Sequence, residues 1–123
     1  MKKILLAEDD SVLREMYRLK LKNHGFGVIT ASDGAEALAI AMSQRPDLVI
    51  LDVKMPRLTG LEVMQKLRAN SWGKDVLIII LTAFDTTEAA LKQIATEHPA
   101  YYLVKDRITP DELMEKVKEL LKD

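Results

Sequence analysis

The chain has 123 residues, of which 48% are hydrophobic and 30% charged, and its formal net charge is −1. That balance is typical of a soluble globular protein, and the length suits one domain, residues 1–123, with its own hydrophobic core. Acidic and basic residues are interleaved without a basic stripe, which gives no electrostatic argument for nucleic-acid binding, and the lack of cysteine excludes disulfides, thiolate metal sites and cysteine nucleophiles.

Short apolar runs alternate along the chain with segments of helical periodicity. Runs without polar alternation are typical of strands buried on both faces, and they predict strands at residues 3–7, 27–30, 48–51, 76–81 and 101–104. Apolar residues spaced three to four apart predict helices over residues 11–24, 33–44 and 61–69, and from 85 and 109 onward.

Capping residues and apolar spacing define the last two helices. Asp85 with Glu88, and Thr109 with Glu112, have the spacing of a capping box, and Pro110 suits the first helical position. The fourth helix is expected to bury Leu91 and Ile94. The fifth helix is expected to bury four residues: Leu113, Val117, Leu120 and Leu121.

No segment is typical of a membrane or secreted protein. The longest apolar run, Val76 to Leu81, is far too short to cross a bilayer. The amino-terminal segment meets carboxylates too early to hold a signal-peptide core. We therefore expect a cytoplasmic protein without a membrane partner.

The alternation of strands and helices predicts an α/β fold. Right-handed crossovers would give an open, doubly wound parallel sheet with helices on both faces. Such sheets place their functional sites at the carboxyl ends of the strands, beside the switch in strand order. The residues at those ends are therefore the first candidates for a site.

Acids, a hydroxyl and an amine follow four of the predicted strands. The first strand ends in Glu8, Asp9 and Asp10. Asp52 follows the third strand, Thr82 the fourth and Lys105 the fifth. Clustered carboxylates raise one another's pKa unless a cation neutralises them, and Mg²⁺ binds one or two carboxylates while leaving positions for phosphate oxygens. We therefore expect a Mg²⁺ site at this edge, where Mn²⁺ could substitute.

Asp52 is the candidate nucleophile of this group. A carboxylate can attack a phosphoryl group to form an aspartyl phosphate, and Lys105 and Thr82 could hold the phosphoryl oxygens. Each of these residues alone would more often be a helix cap or a surface side chain. Their joint occurrence at neighbouring strand ends is what favours phosphoryl capture.

Segments 4–10, 46–56 with Gly60, 79–83 and 102–105 closely resemble the receiver domain of two-component response regulators. The resemblance covers essentially the whole chain. It implies a flavodoxin-like (βα)5 sheet of order 2-1-3-4-5, with Asp52 as the phosphoacceptor. It also implies a metal site made of Glu8 (mainly through water), Asp9, Asp52 and the main-chain carbonyl of Lys54.

The resemblance implies a switch as well. Thr82 matches the hydroxyl that moves toward the phosphoryl group, Lys105 the lysine that pairs with it, and Tyr102 the aromatic residue that turns inward with the threonine. Asp10 is interpreted as a helix N-cap. Receivers usually have a proline after the lysine, joined by a cis peptide, whereas this chain has Asp106. A cis bond there would cost roughly 3 kcal/mol, so we expect a loop that is either differently shaped or more mobile than in other receivers.

The implied function is a stand-alone receiver that is not an enzyme beyond promoting its own phosphorylation and dephosphorylation. It would take phosphate from a sensor histidine kinase or a histidine phosphotransfer protein. It would then either signal through a downstream protein partner or pass the phosphate on to a histidine phosphotransfer protein. Lys54 and Phe84 lie two residues beyond Asp52 and Thr82, where bulky side chains should slow self-dephosphorylation, although Phe84 could equally contact a partner. One alternative is an unphosphorylated receiver-like interaction module. Another, an aspartyl phosphatase, is disfavoured because Lys54 replaces the second acid such enzymes use.

Overall fold

The computed structural model describes residues 1–82 and 87–122. The strands are β1 Lys3–Ala7, β2 Gly27–Ala31, β3 Leu48–Asp52, β4 Leu77–Thr82 and β5 Tyr101–Val104. The helices are α1 Ser11–Asn23, α2 Gly34–Gln44, α3 Gly60–Arg68, α4 Glu88–Glu97 and α5 Pro110–Leu121. A short 3₁₀ helix, Lys105–Arg107, follows β5.

All the strands pair in parallel in the order β2-β1-β3-β4-β5. This confirms the predicted flavodoxin-like, doubly wound sheet. The order reverses direction at β1, and the neighbouring strands β1 and β3 leave a crevice outside their carboxyl ends. Any chemistry-bearing residue that follows β1, β3 or β4 is therefore brought to one edge of the sheet.

Two apolar layers, one on each face of the sheet, explain the uninterrupted apolar runs of the strands. Leu5 and Leu51 pack with α2, α3 and α4, whereas Leu6 and Ile50 lie on the opposite face and pack with α1 and α5. Successive strand residues point to opposite faces, so a strand covered on both sides has no polar position. Among the described residues, no helix is both long and apolar enough to span a bilayer.

The start of α4 differs from the prediction. The helix begins at Glu88 and is capped by Thr87, whose hydroxyl accepts a hydrogen bond from the Ala90 N–H. Asp85, the predicted cap, lies outside the described residues. Leu91, expected to be buried, is 40% exposed, because the stripe of α4 that packs on the sheet contains Ala90 and Ile94, four residues apart.

The last helix follows the prediction closely. Thr109 and Glu112 form the reciprocal capping box, and Pro110 occupies the first turn. Leu113, Val117 and Leu121 are buried, and Leu120 is partly buried against the same layer. The described residues contain no cis peptide bond, and Lys105–Arg107, which includes Asp106, turns as a 3₁₀ helix. The expected difference from the loop of other receivers stays a prediction.

Candidate functional site

Lys105 joins the acidic residues at the carboxyl edge of the sheet. Its Nζ atom donates to both carboxylate oxygens of Glu8, each at 3.0 Å, and to Oδ2 of Asp52 at 3.2 Å. Glu8 directly follows β1, Asp52 is the last residue of β3, and Lys105 directly follows β5. The sheet order thus brings together three residues that are far apart in sequence.

The two carboxylates bonded to Lys105 are buried. Glu8 is 0% exposed and Asp52 4% exposed. Burying a carboxylate is unfavourable unless it is paired and hydrogen-bonded, and one ammonium serves two acids here. Burial, and then the nearby charge of Glu8, raise the pKa of Asp52 from its ordinary 3.8 to about 7, although Lys105 opposes the shift. The site therefore carries a deficit of positive charge when both acids ionise.

The acidic residues fit a small divalent cation. Glu8, Asp9 and Asp52 each offer a carboxylate oxygen, and these oxygens lie within 4.8 Å of one another. Mg²⁺ prefers oxygen ligands and commonly takes one or two carboxylates, so a group of carboxylate oxygens at this spacing suits the ion. Asp9 is exposed, which leaves one side of the group open to solvent and to a phosphoryl donor.

The ligand role predicted for the main-chain carbonyl of Lys54 stays a prediction. The structure places Lys54 beside the acid, since its N–H lies 3.3 Å from Oδ1 of Asp52. Asp10, in contrast, is confirmed as the N-cap of α1, because its Oδ1 accepts from the N–H groups of Val12 and Leu13 at 2.9 and 3.2 Å. It thereby stands apart from the metal-binding candidates.

The loop after β3 holds Asp52 firmly in place. The Val53 N–H donates to the carbonyl of Leu81 on β4, and the Gly60 N–H donates to the carbonyl of Val53, both at 3.0 Å. A Cβ atom on Gly60 would lie 2.2 Å from the carbonyl oxygen of Asp52. Only glycine allows α3 to begin this close to the acid.

Thr82 and Tyr102, the predicted switch pair, occupy neighbouring strands. The Thr82 side chain is buried, and its hydroxyl donates to the carbonyl of Leu103 at 3.3 Å, toward β5. Tyr102 is 55% exposed. Their roles stay predictions, and Phe84, predicted with Lys54 to slow dephosphorylation, lies outside the described residues.

Sequence reasoning missed Arg14. Its guanidinium donates through Nη1 to the main-chain carbonyl of Glu8 at 2.8 Å and to that of Asp9 at 3.5 Å. The sequence did contain a clue to its position. With Asp10 as N-cap, Arg14 is the fourth residue of α1, and helical side chains lean toward the amino-terminal end of the helix. Such a side chain reaches back over the loop that precedes the helix.

Comparison with known proteins agrees with the fold and the site. The family model described as "Response regulator receiver domain" matches residues 4–118. The response regulator MprA of Mycolicibacterium vanbaalenii is 50% identical over 84 residues, which cover 68% of this chain and 36% of MprA. The probable transcriptional regulatory protein TcrX of Mycobacterium tuberculosis is 45% identical over 85 residues, 69% of this chain and 36% of TcrX.

Solved structures extend the likeness to the whole fold. The response regulator TrrA of Thermotoga maritima, determined in complex with Mg²⁺-BeF, is 40% identical, with a TM-score of 0.84 over 98% of this chain and 100% of TrrA. The chemotaxis response regulator CheY4 of Vibrio cholerae is 33% identical, with a TM-score of 0.87 over 98% of this chain and 99% of CheY4.

The chain therefore belongs to the response regulator receiver domain family, a class of signalling proteins of two-component systems. Its acidic group of Glu8, Asp9 and Asp52 fits the phosphoacceptor site of such a domain. The matched segment spans about a third of the curated relatives, 36% of MprA and of TcrX.

Proposed function

We propose that residues 1–123 form one receiver domain that accepts a phosphoryl group on Asp52 from the phosphohistidine of a sensor histidine kinase or a histidine phosphotransfer protein. The observation that carries this proposal is the buried Asp52 carboxylate, 3.2 Å from Lys105 and beside Glu8 and Asp9 at the open edge of the sheet. The complex of TrrA with Mg²⁺-BeF supports it from a relative.

Asp52 is the nucleophile in this proposal. One of its oxygens forms a bond to phosphorus while the phosphorus–nitrogen bond of the donor breaks, and the electron pair of that bond returns to the imidazole nitrogen. Lys105, which donates to Asp52 and Glu8 in the structure, then donates to a phosphoryl oxygen. The proposal makes the domain a phosphoacceptor that promotes only its own phosphorylation and dephosphorylation.

The proposed ligands of Mg²⁺ are the carboxylates of Glu8, Asp9 and Asp52 and the main-chain carbonyl of Lys54. Mn²⁺ could substitute for Mg²⁺, because both ions favour oxygen ligands. When bound, the ion supplies positive charge between the anionic acid and the anionic phosphoryl group. Lys105 alone cannot supply this charge, because it is one cation shared between two buried acids. The fit of the three carboxylate oxygens supports the assignment.

Thr82 and Tyr102 are the proposed switch. In the structure the Thr82 hydroxyl is bonded toward β5, and Tyr102 is exposed. A phosphoryl group on Asp52 would offer strong acceptor oxygens, and the Thr82 hydroxyl would leave the carbonyl of Leu103 to donate to them. The space released beside β5 would admit the Tyr102 ring, and the altered surface would be read by a downstream protein partner. We propose that the transfer of the phosphoryl group to Asp52 takes place in the cytoplasm, because the donor kinase is phosphorylated by ATP there.

Acetyl phosphate with Mg²⁺, followed by intact-protein mass spectrometry, tests the proposed function. We expect the mass to rise by one phosphoryl group in the wild type and not in Asp52→Asn, and EDTA should abolish the gain. Asp106→Asn, which removes an exposed acid beside Lys105, serves as a charge-matched control and should still be phosphorylated. A wild type that binds Mg²⁺ and is never phosphorylated by acetyl phosphate or phosphohistidine would contradict the proposal and favour an unphosphorylated interaction module.

A further inference from the structure

The connection between β1 and α1 carries two of the proposed metal ligands, Glu8 and Asp9. It is fixed at its first residue by the bond from the Glu8 N–H to the carbonyl of Ala31, at 3.1 Å. It is fixed at its last residue by the Asp10 cap on α1. Asp9, between these points, is exposed.

Arg14 bonds to the two carbonyls between those fixed ends. Its Nη1 atom lies 2.8 Å from the carbonyl oxygen of Glu8 and 3.5 Å from that of Asp9. Because peptide units are planar, fixing the Glu8 carbonyl also fixes the direction of the Asp9 N–H, and fixing the Asp9 carbonyl fixes the N–H of Asp10. The backbone on both sides of Asp9 is thereby oriented by one guanidinium.

We propose that Arg14 is a positioning residue for the metal ligands, and this inference depends on the proposed function of the site. Arg14 bonds main-chain carbonyls and not the carboxylate oxygens of Glu8 and Asp9, so it does not compete with the ion for those oxygens. Its role is to present the Asp9 carboxylate toward Glu8 and Asp52 before the ion arrives. Residues that orient metal ligands in this way commonly alter metal affinity by about 10- to 100-fold when they are replaced.

Arg18 offers a matched control on the same helix. It lies one turn after Arg14, carries the same charge, and bonds to Glu15 rather than to the loop. Removing either arginine changes the net charge equally, but Arg14 is nearer the acids, so the loss of its charge alone should favour Mg²⁺ binding. Weaker Mg²⁺ binding in Arg14→Met and not in Arg18→Met would therefore point to the contacts with the loop carbonyls. Arg14→Lys keeps the charge but replaces the planar fork with a single ammonium, and it should have an intermediate effect.

Mg²⁺ binding to the full chain, measured by titration calorimetry without a phosphoryl donor, tests the inference. We expect Arg14→Met to weaken Mg²⁺ binding by about tenfold or more. Arg18→Met should stay within twofold of the wild type. Phosphorylation of Arg14→Met by acetyl phosphate should need proportionally more Mg²⁺ and approach the wild-type rate at saturation, because Asp52 and Lys105 are unchanged.

Two outcomes would overturn the inference: a folded Arg14→Met with wild-type Mg²⁺ affinity, or equal weakening in Arg18→Met. If Arg14→Met does not fold, as judged by circular dichroism in EDTA, Arg14→Lys decides by the same titration, and wild-type affinity in that variant would also overturn it. Failure of the proposed function has a different signature, since the wild type itself would then bind no Mg²⁺ or accept no phosphoryl group.

Discussion

Lys105 crosses from the end of β5 to Asp52 at the end of β3, with 3.2 Å between Nζ and Oδ2. The same ammonium bonds to Glu8, so it is held between two buried acids before any phosphoryl group is present. Burial by itself would lower the pKa of Lys105, but the bonds and charges of Glu8 and Asp52 outweigh it and raise that pKa. Lys105 therefore stays a cation at neutral pH.

Replacing Lys105 with methionine should slow phosphorylation of Asp52. The variant keeps a long side chain but has no donor for the phosphoryl oxygens, and losing one such donor typically lowers a rate by about 100-fold or more. We expect a loss of at least about tenfold with acetyl phosphate at saturating Mg²⁺, since the ion still screens charge. Lys105→Arg should be less impaired, and a rate for Lys105→Met within twofold of the wild type would contradict the role of the ammonium.

Asp52→Asn should stabilise the metal-free protein in a pH-dependent way. The pKa of Asp52 is about 7 in the folded protein and 3.8 ordinarily, so between these values the folded state holds a proton that the unfolded state has released. The stability contributed by that protonated acid is present at low pH and is lost as pH rises toward 7. Asparagine does not ionise and escapes the loss, which amounts to up to about 4 kcal/mol.

Urea unfolding in EDTA at pH 5 and pH 8 measures this difference. The stability advantage of Asp52→Asn should be larger at pH 8, and Mg²⁺ should reduce it by neutralising the acids in the wild type. Asp106→Asn makes the same change of charge at an exposed position and should show no such gain. An advantage that is equal at both pH values would show that burial of an ionised Asp52 does not limit stability.

Phosphorylation should bury Tyr102 through Thr82. Tyr102 is 55% exposed while the Thr82 hydroxyl is bonded to the carbonyl of Leu103. With beryllofluoride and Mg²⁺, a stable stand-in for the phosphoryl group, we expect the exposed fraction to fall by about half or more as Thr82 turns toward Asp52. Fluorine NMR of fluorotyrosine-labelled protein, assigned with Tyr102→Phe, measures solvent access. Thr82→Ala should abolish the change in solvent access. An identical change in that variant would show that Tyr102 moves independently of Thr82.

Gly60→Ala should destabilise the protein because of the close approach to Asp52. An added Cβ would lie 2.2 Å from the carbonyl oxygen of Asp52, so the start of α3 or the end of β3 must move. Overpacking of this kind costs about 1–3 kcal/mol, which chemical unfolding would detect. Gly25→Ala is the comparison, since it has φ +90 but open space around it, and it should cost about 1 kcal/mol. Equal stability of Gly60→Ala and the wild type would contradict the steric argument.

The strand ends explain why so much of the site could be predicted from the sequence. Asp52 and Thr82 follow apolar runs that are buried on both faces, and parallel packing brings such ends to one edge. The pattern could not reveal contacts that depend on side-chain direction and main-chain acceptors, such as the bond from Arg14 to the Glu8 carbonyl. Leu91 was misplaced for a similar reason, since apolar spacing alone does not show how narrow the buried stripe of α4 is.

Replacing Lys54 should speed loss of the phosphoryl group. Lys54 is exposed, and its N–H lies 3.3 Å from the Asp52 carboxylate, so its long side chain begins at the edge of the site that water must cross. We expect Lys54→Ala to lose phosphate several-fold faster than the wild type, measured by mass spectrometry after the acetyl phosphate is removed. Lys66→Ala removes an exposed lysine from α3, away from that rim, and should leave the rate unchanged. A wild-type half-life of seconds, or equal rates in Lys54→Ala and the wild type, would show that Lys54 does not shield the aspartyl phosphate.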